Sequence, residues 1–470
     1  MRRDISKATA VLASLVTVSM GQANAQASGT SFGDNSTSFR AHVAEICPVL
    51  GQSTMRNEDQ TDLFLRCNGI LARGQSELEG LSESGDLLDQ YIGLQNIAQQ
   101  SDAATQPNRA EQAVSNRVTS ISSQLRSRQF ASVGQARPVL MASNDPSAIP
   151  DMSASPRSAL DGFLTFGYFD GEQNTTVDEL GFEQDGYWVS GGLDYAFSDT
   201  FVVGAAATYN DSSADFDAVG SLTSGGGMES ESWSVSAYGV YLPTENLEFN
   251  GLISFGQADF SNTRRISGTD KNGDGDANIA NGETVATIDR TASSESDADT
   301  FQITAGGSYA FYLDDGVSLI PDVEVSYYNA DIGAFTETGA DGLDLAFGDQ
   351  EVDSLRVSVG GTLNRAFSAD WGVLVPYVRA RVISEFEDDE QNIVVSYAAI
   401  QGIQRPDGSP LDSSFVITTN PADELSGDVA IGASAVWTNG FSGFAEYSTV
   451  VAFEDVTYNS LTLGLRYEFG

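Results

Sequence analysis

This sequence has little of what most catalytic centres use. His42 is its one histidine, and Cys47 and Cys67 are its only cysteines. That excludes a zinc cluster or a histidine-rich site, and no phosphate loop or dinucleotide fingerprint takes their place. Positive charge is also scarce: 23 Lys and Arg stand against 66 Asp and Glu, for a net charge of −43. Such a chain repels nucleic acid, so no nucleic-acid partner is expected. No stretch is long and apolar enough to cross a bilayer as a helix. For an exported protein this leaves a soluble, a surface-bound or a β-barrel form.

Export is expected from the first residues. Arg2, Arg3 and Lys7 precede the apolar run Ala8–Met20, and "ANA" (Ala23–Ala25) has the small-x-small form of a cleavage site. A signal peptide over 1–25 is expected, the competing reading being an uncleaved anchor. In an oxidising compartment Cys47 and Cys67 pair most simply as a disulfide, worth about 3 kcal/mol for a loop of this size.

The charge is uneven. Residues 1–150 carry a net −2 and residues 151–470 a net −41. Residues 26–105 read as a small helical module. Phe39, Val43, Ile46 and Leu50 recur at helical spacing, as do Leu63, Cys67, Ile70 and Leu71. Gly74 is a stop, and Asp86 caps a third helix with Leu87, Leu88, Tyr91, Leu94 and Ala98. After Pro107, residues 106–158 comprise one more helix and a Ser/Ala/Pro-rich linker. Arg109, Arg117, Arg126, Arg128 and Arg137 against Glu111 make 106–137 the one clearly basic stretch after the signal.

From residue 159 to 470 the apolar period changes to two. "SWSVSAYGVY" sets Trp233, Val235, Ala237, Gly239 and Tyr241 on one face. "LTLGLRYEF" sets Leu461, Leu463, Leu465, Tyr467 and Phe469 on one face, with Thr462, Gly464, Arg466 and Glu468 opposite. Twelve such segments begin near residues 161, 185, 200, 231, 245, 299, 316, 352, 371, 425, 440 and 457. A soluble sandwich would pack the apolar face on a second sheet. An outer-membrane barrel turns it to lipid. The even count and the aromatic pairs at strand ends (Tyr195 with Phe197, Trp437 with Phe441) favour the barrel. So do the connections. Tight turns at 197–200, 242–246, 313–316, 367–371 and 438–440 alternate with long polar loops near 170–184, 211–230, 261–298, 332–350 and 388–423. Short turns face the periplasm in such barrels. The expected fold is an all-β transmembrane barrel of 12 antiparallel strands with a small α-helical N-terminal region.

The segments "YWVSGGLDYAFSDTFVVGAAATY" (187–209), "DSLRVSVGGTLNRAFSADWGVLVPYVRARVISEFEDD" (353–389) and "SLTLGLRYEF" (460–469) resemble the translocator β-domain of autotransporters, the type V secretion family of Gram-negative outer membranes. The resemblance implies a barrel whose N-terminal passenger is joined to it by a helix threading the pore. It also implies recognition of a terminal aromatic, here Phe469, by the outer-membrane assembly machinery, although Gly470 follows it. The passenger would be only about 26–105, helical and without repeats.

The alternation supports such a helix. Asp194, Glu248, Asp322, Glu324, Asp428 and Glu468 point into the lumen, together with Arg356, Arg379, Arg381 and Arg466. A basic helix around Arg109, Arg117, Arg126 and Arg128 is matched to that lining, the alternative being a helix outside the pore with solvated arginines.

Two motifs suggest chemistry. "SFGDNSTSF" (31–39) faintly resembles the Gly-Asp-Ser-Leu block of esterases, but Asn35 stands where serine is required, so no enzyme activity is expected. In "DKNGDGDANIANGE" (270–283), Asp270, Asn272, Asp274 and Asp276 alternate as in a calcium loop. The twelfth position is Asn281 rather than Glu, and strands rather than helices flank it. No cofactor is expected beyond a weak Ca²⁺ loop, the rival reading being a solvated acidic loop, as for "EFEDDE" (385–390).

Three functions follow. The barrel displays or translocates a short passenger at the cell surface; or the passenger or the acidic loops bind a surface ligand; or it is a plugged, porin-like barrel with the module in the periplasm. Outer-membrane lipid and lipopolysaccharide are the expected surroundings.

Overall fold

The computed structural model describes residues 34–53 and 55–72, residues 92–93, positions 114, 117, 118 and 121, and residues 160–468 apart from 177–178, 218–224, 271–285, 388–389, 422, 438–440 and 453–455.

Twelve strands form the wall: β1 (Leu160–Gln173), β2 (Phe182–Ser198), β3 (Phe201–Phe216), β4 (Gly226–Tyr241), β5 (Leu247–Asp270), β6 (Ala286–Tyr309), β7 (Val317–Ile332), β8 (Gln350–Arg365), β9 (Gly372–Glu385), β10 (Leu425–Trp437), β11 (Phe441–Val451) and β12 (Val456–Glu468). Each pairs antiparallel with the next, and β1 pairs with β12 from Asp161↔Glu468 to Gln173↔Val456, which closes the barrel. Closure leaves no edge whose N–H and C=O groups would face hydrocarbon. Among the described residues no helix is long and apolar enough to cross a membrane.

The period of two sorts each strand into an outer and an inner row. On β1, Leu164, Phe166 and Tyr168 are exposed, whereas Asp161, Phe163, Thr165 and Phe169 are buried. Exposed aromatics form two belts. At the turn end, Tyr195 meets Phe197 at 4.9 Å, Phe441 meets Tyr467 at 4.8 Å and Trp371 lies near Trp437 at 6.5 Å. Toward the loop end stand Tyr187, Tyr209, Trp233 and Phe255. Phe197 and Tyr187 share β2. Their separation in sequence, at about 3.3 Å per residue and a tilt of about 40°, gives an apolar band about 25 Å tall.

Inside, bulky rings lie over glycines of the neighbouring strand. A Cβ on Gly167 would stand 2.2 Å from the Trp188 ring, and one on Gly204 2.1 Å from Tyr238. Trp188 is fully buried. Glycine is required there by the close approach of a ring, not by backbone conformation.

Two expectations are corrected at the loop end. The stretch 261–298 is mostly not a loop. β5 and β6 are 24 residues each and stay paired out to Asp270↔Ala286. The extension lacks the apolar outer row of a membrane strand: its outward positions are polar, while Ile266, Ile288 and Ala292 sit buried on its inner side. The stretches 332–350 and 388–423 also carry structure. Phe335–Thr336, Leu345–Phe347, Asn392–Tyr397 and Phe415–Thr418 form a second, four-stranded sheet outside the barrel.

Two helices, α1 (Asp34–Gln52) and α2 (Glu58–Ala72), lie against these loop-end elements. Phe39, Val43, Ile46, Leu50 and Leu63 are buried, as their spacing predicts. The third helix expected from Asp86 falls outside the described residues except at 92–93, where Ile92 is buried. The Phe415–Thr418 strand is an edge of its sheet, and α1 covers it. The Asn35 amide donates to the Thr418 carbonyl at 2.9 Å and its oxygen accepts from the Thr418 N–H at 2.6 Å. Ser38 Oγ accepts from the Val416 N–H at 2.8 Å. Edge groups that would otherwise invite another strand are thereby satisfied.

Candidate functional site

The lumen contains part of the chain itself. Val114, Arg117, Val118 and Ile121 are helical and recur at the spacing of one helix face. Val114 and Ile121 are fully buried against Phe163, Val202, Ala206, Tyr238, Val240, Leu242 and Leu252, inward-facing residues near the turn end. Arg117 is 3% exposed. Its Nε and Nη2 donate to the Asp194 carboxylate at 2.8 and 2.6 Å, and Asp161 lies 3.9 Å away. Arg466 donates to Asp161 at 2.7 Å. Arg117 also stands 5.6 Å from the Phe163 ring centre. Two carboxylates and two guanidinium groups thus share one dry pocket, where a fork-shaped cation is better matched than an ammonium. Arg109, Arg126 and Arg128 lie outside the described residues.

Further along, the wall divides in two. On one side Arg379 pairs with Asp428 at 3.3 Å and Glu446 at 3.2 Å, and the Tyr377 hydroxyl donates to Glu446 at 2.8 Å. Arg381 pairs with Asp322 at 2.9 Å and reaches Glu324 at 4.0 Å. Arg356 pairs with Glu385 at 3.0 Å. On the other side the inner row carries cross-strand hydroxyl pairs, Ser190–Thr208 at 3.0 Å, Ser236–Ser254 at 2.9 Å and Thr304–Ser326 at 3.0 Å. Glu248 is buried on the inner row. Glu468 ends β12 and its side chain, like Phe469, lies outside the described residues. Three acids of the lining are absent from the sequence expectation: Asp161, which alternates with Gly162 at the start of β1, Glu446 and Glu385. Glu446 alternates with Ala445 and Tyr447, so the period-two rule could have found it. Glu385 heads the acidic run "EFEDDE", whose composition reads as solvated, yet it accepts from Ser354 and Arg356.

At the loop end, polar contacts tie the helices and outer sheet to the barrel. Arg264 of β5 is 1% exposed; its Nε donates to Glu337 at 2.8 Å and its Nη2 to the Leu343 carbonyl at 2.9 Å. Arg290 of β6 donates to Asp62 of α2 at 2.6 and 2.9 Å and to the Ala340 carbonyl at 2.9 Å. Gly342 touches α2 so closely that a Cβ would stand 2.4 Å from the Asp59 carbonyl oxygen. Nothing local in the sequence announced Arg264 or Arg290, because their partners are 50 to 228 residues away.

Cys47 is disulfide-bonded, and Cys67 is the chain's other cysteine. Of the acidic loop, Asp270 closes β5, while Asn272, Asp274 and Asp276 fall outside the described residues. Asn35 of the esterase-like block holds the edge strand. His42 does meet a serine: its Nδ1 lies 2.9 Å from Ser413 Oγ, and Ser413 donates to Glu45 at 2.7 Å. Acyl transfer needs the acid on the far nitrogen of the histidine. Here the acid is on the serine, and His42 Nε2 is buried without a partner. The cluster is a clasp between helix and loop.

A closed twelve-stranded barrel with belted outer face and a segment of its own chain inside defines the class, a membrane-spanning translocator barrel. The autotransporter β-domain family model matches residues 163–448, and the chain belongs to that family. Membership places the barrel in a bacterial outer membrane. Esterase EstA of Pseudomonas aeruginosa is 24% identical over 171 residues, 36% of this chain and 24% of that protein, and EstA of Pseudomonas putida matches equally. The chain thus spans about a quarter of the length of the curated relatives it matches. Among solved structures, the translocator domain of autotransporter NalP from Neisseria meningitidis is 16% identical, covering 76% of this chain and 98% of its own at a TM-score of 0.49. The β domain of the Bordetella autotransporter Brka is 14% identical, covering 66% and 100% at 0.42. The transport unit of AIDA-I from Escherichia coli is 12% identical, covering 74% and 99% at 0.41.

Proposed function

We propose that this chain is an outer-membrane barrel that carries its own N-terminal helical module to the cell surface and keeps it seated there on the long loops. The segment 106–158 holds the pore shut behind it. One observation carries this reading. The helices α1 and α2 lie at the loop end, whereas Arg117 is clamped inside the wall near the turn end, where β1 begins. The chain up to residue 72 and the chain from residue 114 therefore stand at opposite ends of a closed wall. Short turns on the periplasmic side put the module outside. The aromatic and aliphatic outer face meets outer-membrane lipid, with lipopolysaccharide at its loop end, and Phe469 is the residue offered to the assembly machinery.

Protease added to intact cells tests this. Residues 34–72 should be cut without cell lysis once the module is loosened by mild denaturant, while the turn at 242–246 stays intact. Cleavage of 34–72 only after lysis would place the module in the periplasm and overturn the reading.

A further inference from the structure

His42 is the chain's one imidazole, and it sits in the seam between α1 and the loop-end sheet. It is 2% exposed. The Tyr397 ring stacks on it at 5.8 Å and the Phe415 ring lies 5.3 Å away at a tilt. The hydrogen bonds fix its tautomer. The Ser413 hydroxyl has a single proton, which it donates to Glu45 Oε2 at 2.7 Å. Its oxygen must then accept from His42 Nδ1–H, 2.9 Å away. The bare nitrogen is Nε2, enclosed and without a hydrogen-bond partner. A second proton would go there, placing a charge and an unanswered N–H between two aromatic rings.

We propose that His42 is an acid-sensitive latch: protonation of its enclosed Nε2 releases α1 from the Tyr397–Phe415 seat on the loop-end sheet. The proposal concerns the seat itself and holds whichever side of the membrane the loops face.

The other groups at the seat do not supply a counter-charge at Nε2. Glu45, on the same helix, faces Ser413 and Arg405, which also forms an ion pair with it. Of the loop residues packed on the imidazole, Tyr397 and Phe415 present rings and Ser413 a hydroxyl. On α2, Asp62 is turned to Arg66 and Arg290. Burial moves His42 from its ordinary 6.5 down to about 4, against a smaller upward pull from Glu45. The sign follows: the folded value is depressed, so the contribution is complete above 6.5 and is lost as pH falls toward 4. The hydrogen bonds from Arg405 and Ser413 hold Glu45 below the usual carboxylate range, so its own loss comes at lower pH and in the same direction.

The test uses the purified full chain in lipid nanodiscs and hydrogen exchange of α1 peptides, corrected for the intrinsic chemical rate. Between pH 7.5 and pH 5 the α1 protection factor should fall about 30-fold, while the strands β2 and β3 keep theirs. His42→Asn, which can still donate to Ser413 but takes no proton, should abolish that fall, and His42→Phe should do so while keeping the ring stack. Glu45→Gln should leave it in place. A wild-type protection factor that is flat over this range, or a fall of equal size in both His42 variants, would overturn the latch.

Discussion

Replacing Arg117 by alanine removes the one described cation that the inner segment places against the wall. In the wild type its guanidinium closes two hydrogen bonds on Asp194, at 2.8 and 2.6 Å, with both side chains almost wholly buried. The alanine variant leaves Asp194 buried with the Tyr238 hydroxyl, 3.5 Å away, as its remaining hydrogen-bond donor among the described side chains. Arg466 does not replace the loss, since it is engaged with Asp161. Breaking a buried pair from one side costs about 3–5 kcal/mol. At about 1.4 kcal/mol per factor of ten, that raises the fraction of barrels with the segment displaced by about two to three and a half orders of magnitude. Val114 and Ile121 would still bind their apolar pocket, so the segment is loosened rather than lost. Purified protein in planar bilayers reads this directly. The wild type should show rare openings, and Arg117→Ala frequent or sustained ones, favouring cations because the lining left behind is acidic. Arg117→Lys should fall between, keeping the charge without the two-pronged contact. Conductance and unfolding temperature unchanged in Arg117→Ala would refute the idea that this segment closes the pore.

Arg264→Met should loosen the 335–347 segment by about 3–5 kcal/mol through the stranded Glu337 carboxylate, whereas Arg264→Met with Glu337→Leu should recover only part of that loss, because the Leu345 N–H and the Leu343 carbonyl lose their partners, as hydrogen exchange of that segment will show. Gly167→Ala drives a methyl into the Trp188 indole and should cost about 1–3 kcal/mol in detergent unfolding; Gly251→Ala, with its nearest neighbour at 3.5 Å, is the matched control. Reduction of the Cys47 disulfide should destabilise the α1–α2 pair by about 3 kcal/mol and speed proteolysis of 34–72, leaving the barrel bands on a gel unchanged.

The wall was readable because lipid on one side and a polar lumen on the other impose a strict period of two. Its starts agree with expectation within a few residues everywhere except β6, where Ala286 replaces 299. There the extension leaves the membrane, the outward residues turn polar, and the contrast that marks a strand fades. The short outer strands were missed for a related reason. Phe415 and Ile417, or Ile393, Val395 and Tyr397, do alternate, but each run is six residues or fewer and its hydrophobic partner is a helix nearly 400 residues earlier. The helices themselves were legible from Phe39, Val43, Ile46 and Leu50. What they pack against was not, because amphipathic spacing shows that a face is buried without naming its cover. The same limit applies to the polar contacts. The inward row of acids could be deduced strand by strand, yet which arginine meets which acid depends on register across the barrel, as Arg381 with Asp322 shows.

The central claim is topological: the helices stand on the outer side and the tight turns on the inner side of one membrane. Met55, between α1 and α2, is 89% exposed, and Asp199 is exposed in the turn between β2 and β3. A cysteine placed at each in turn, probed on intact cells with a membrane-impermeant maleimide, measures the claim directly. Met55→Cys should label on whole cells and Asp199→Cys only after lysis. The reverse pattern, or labelling of Met55→Cys only after lysis, would contradict the account.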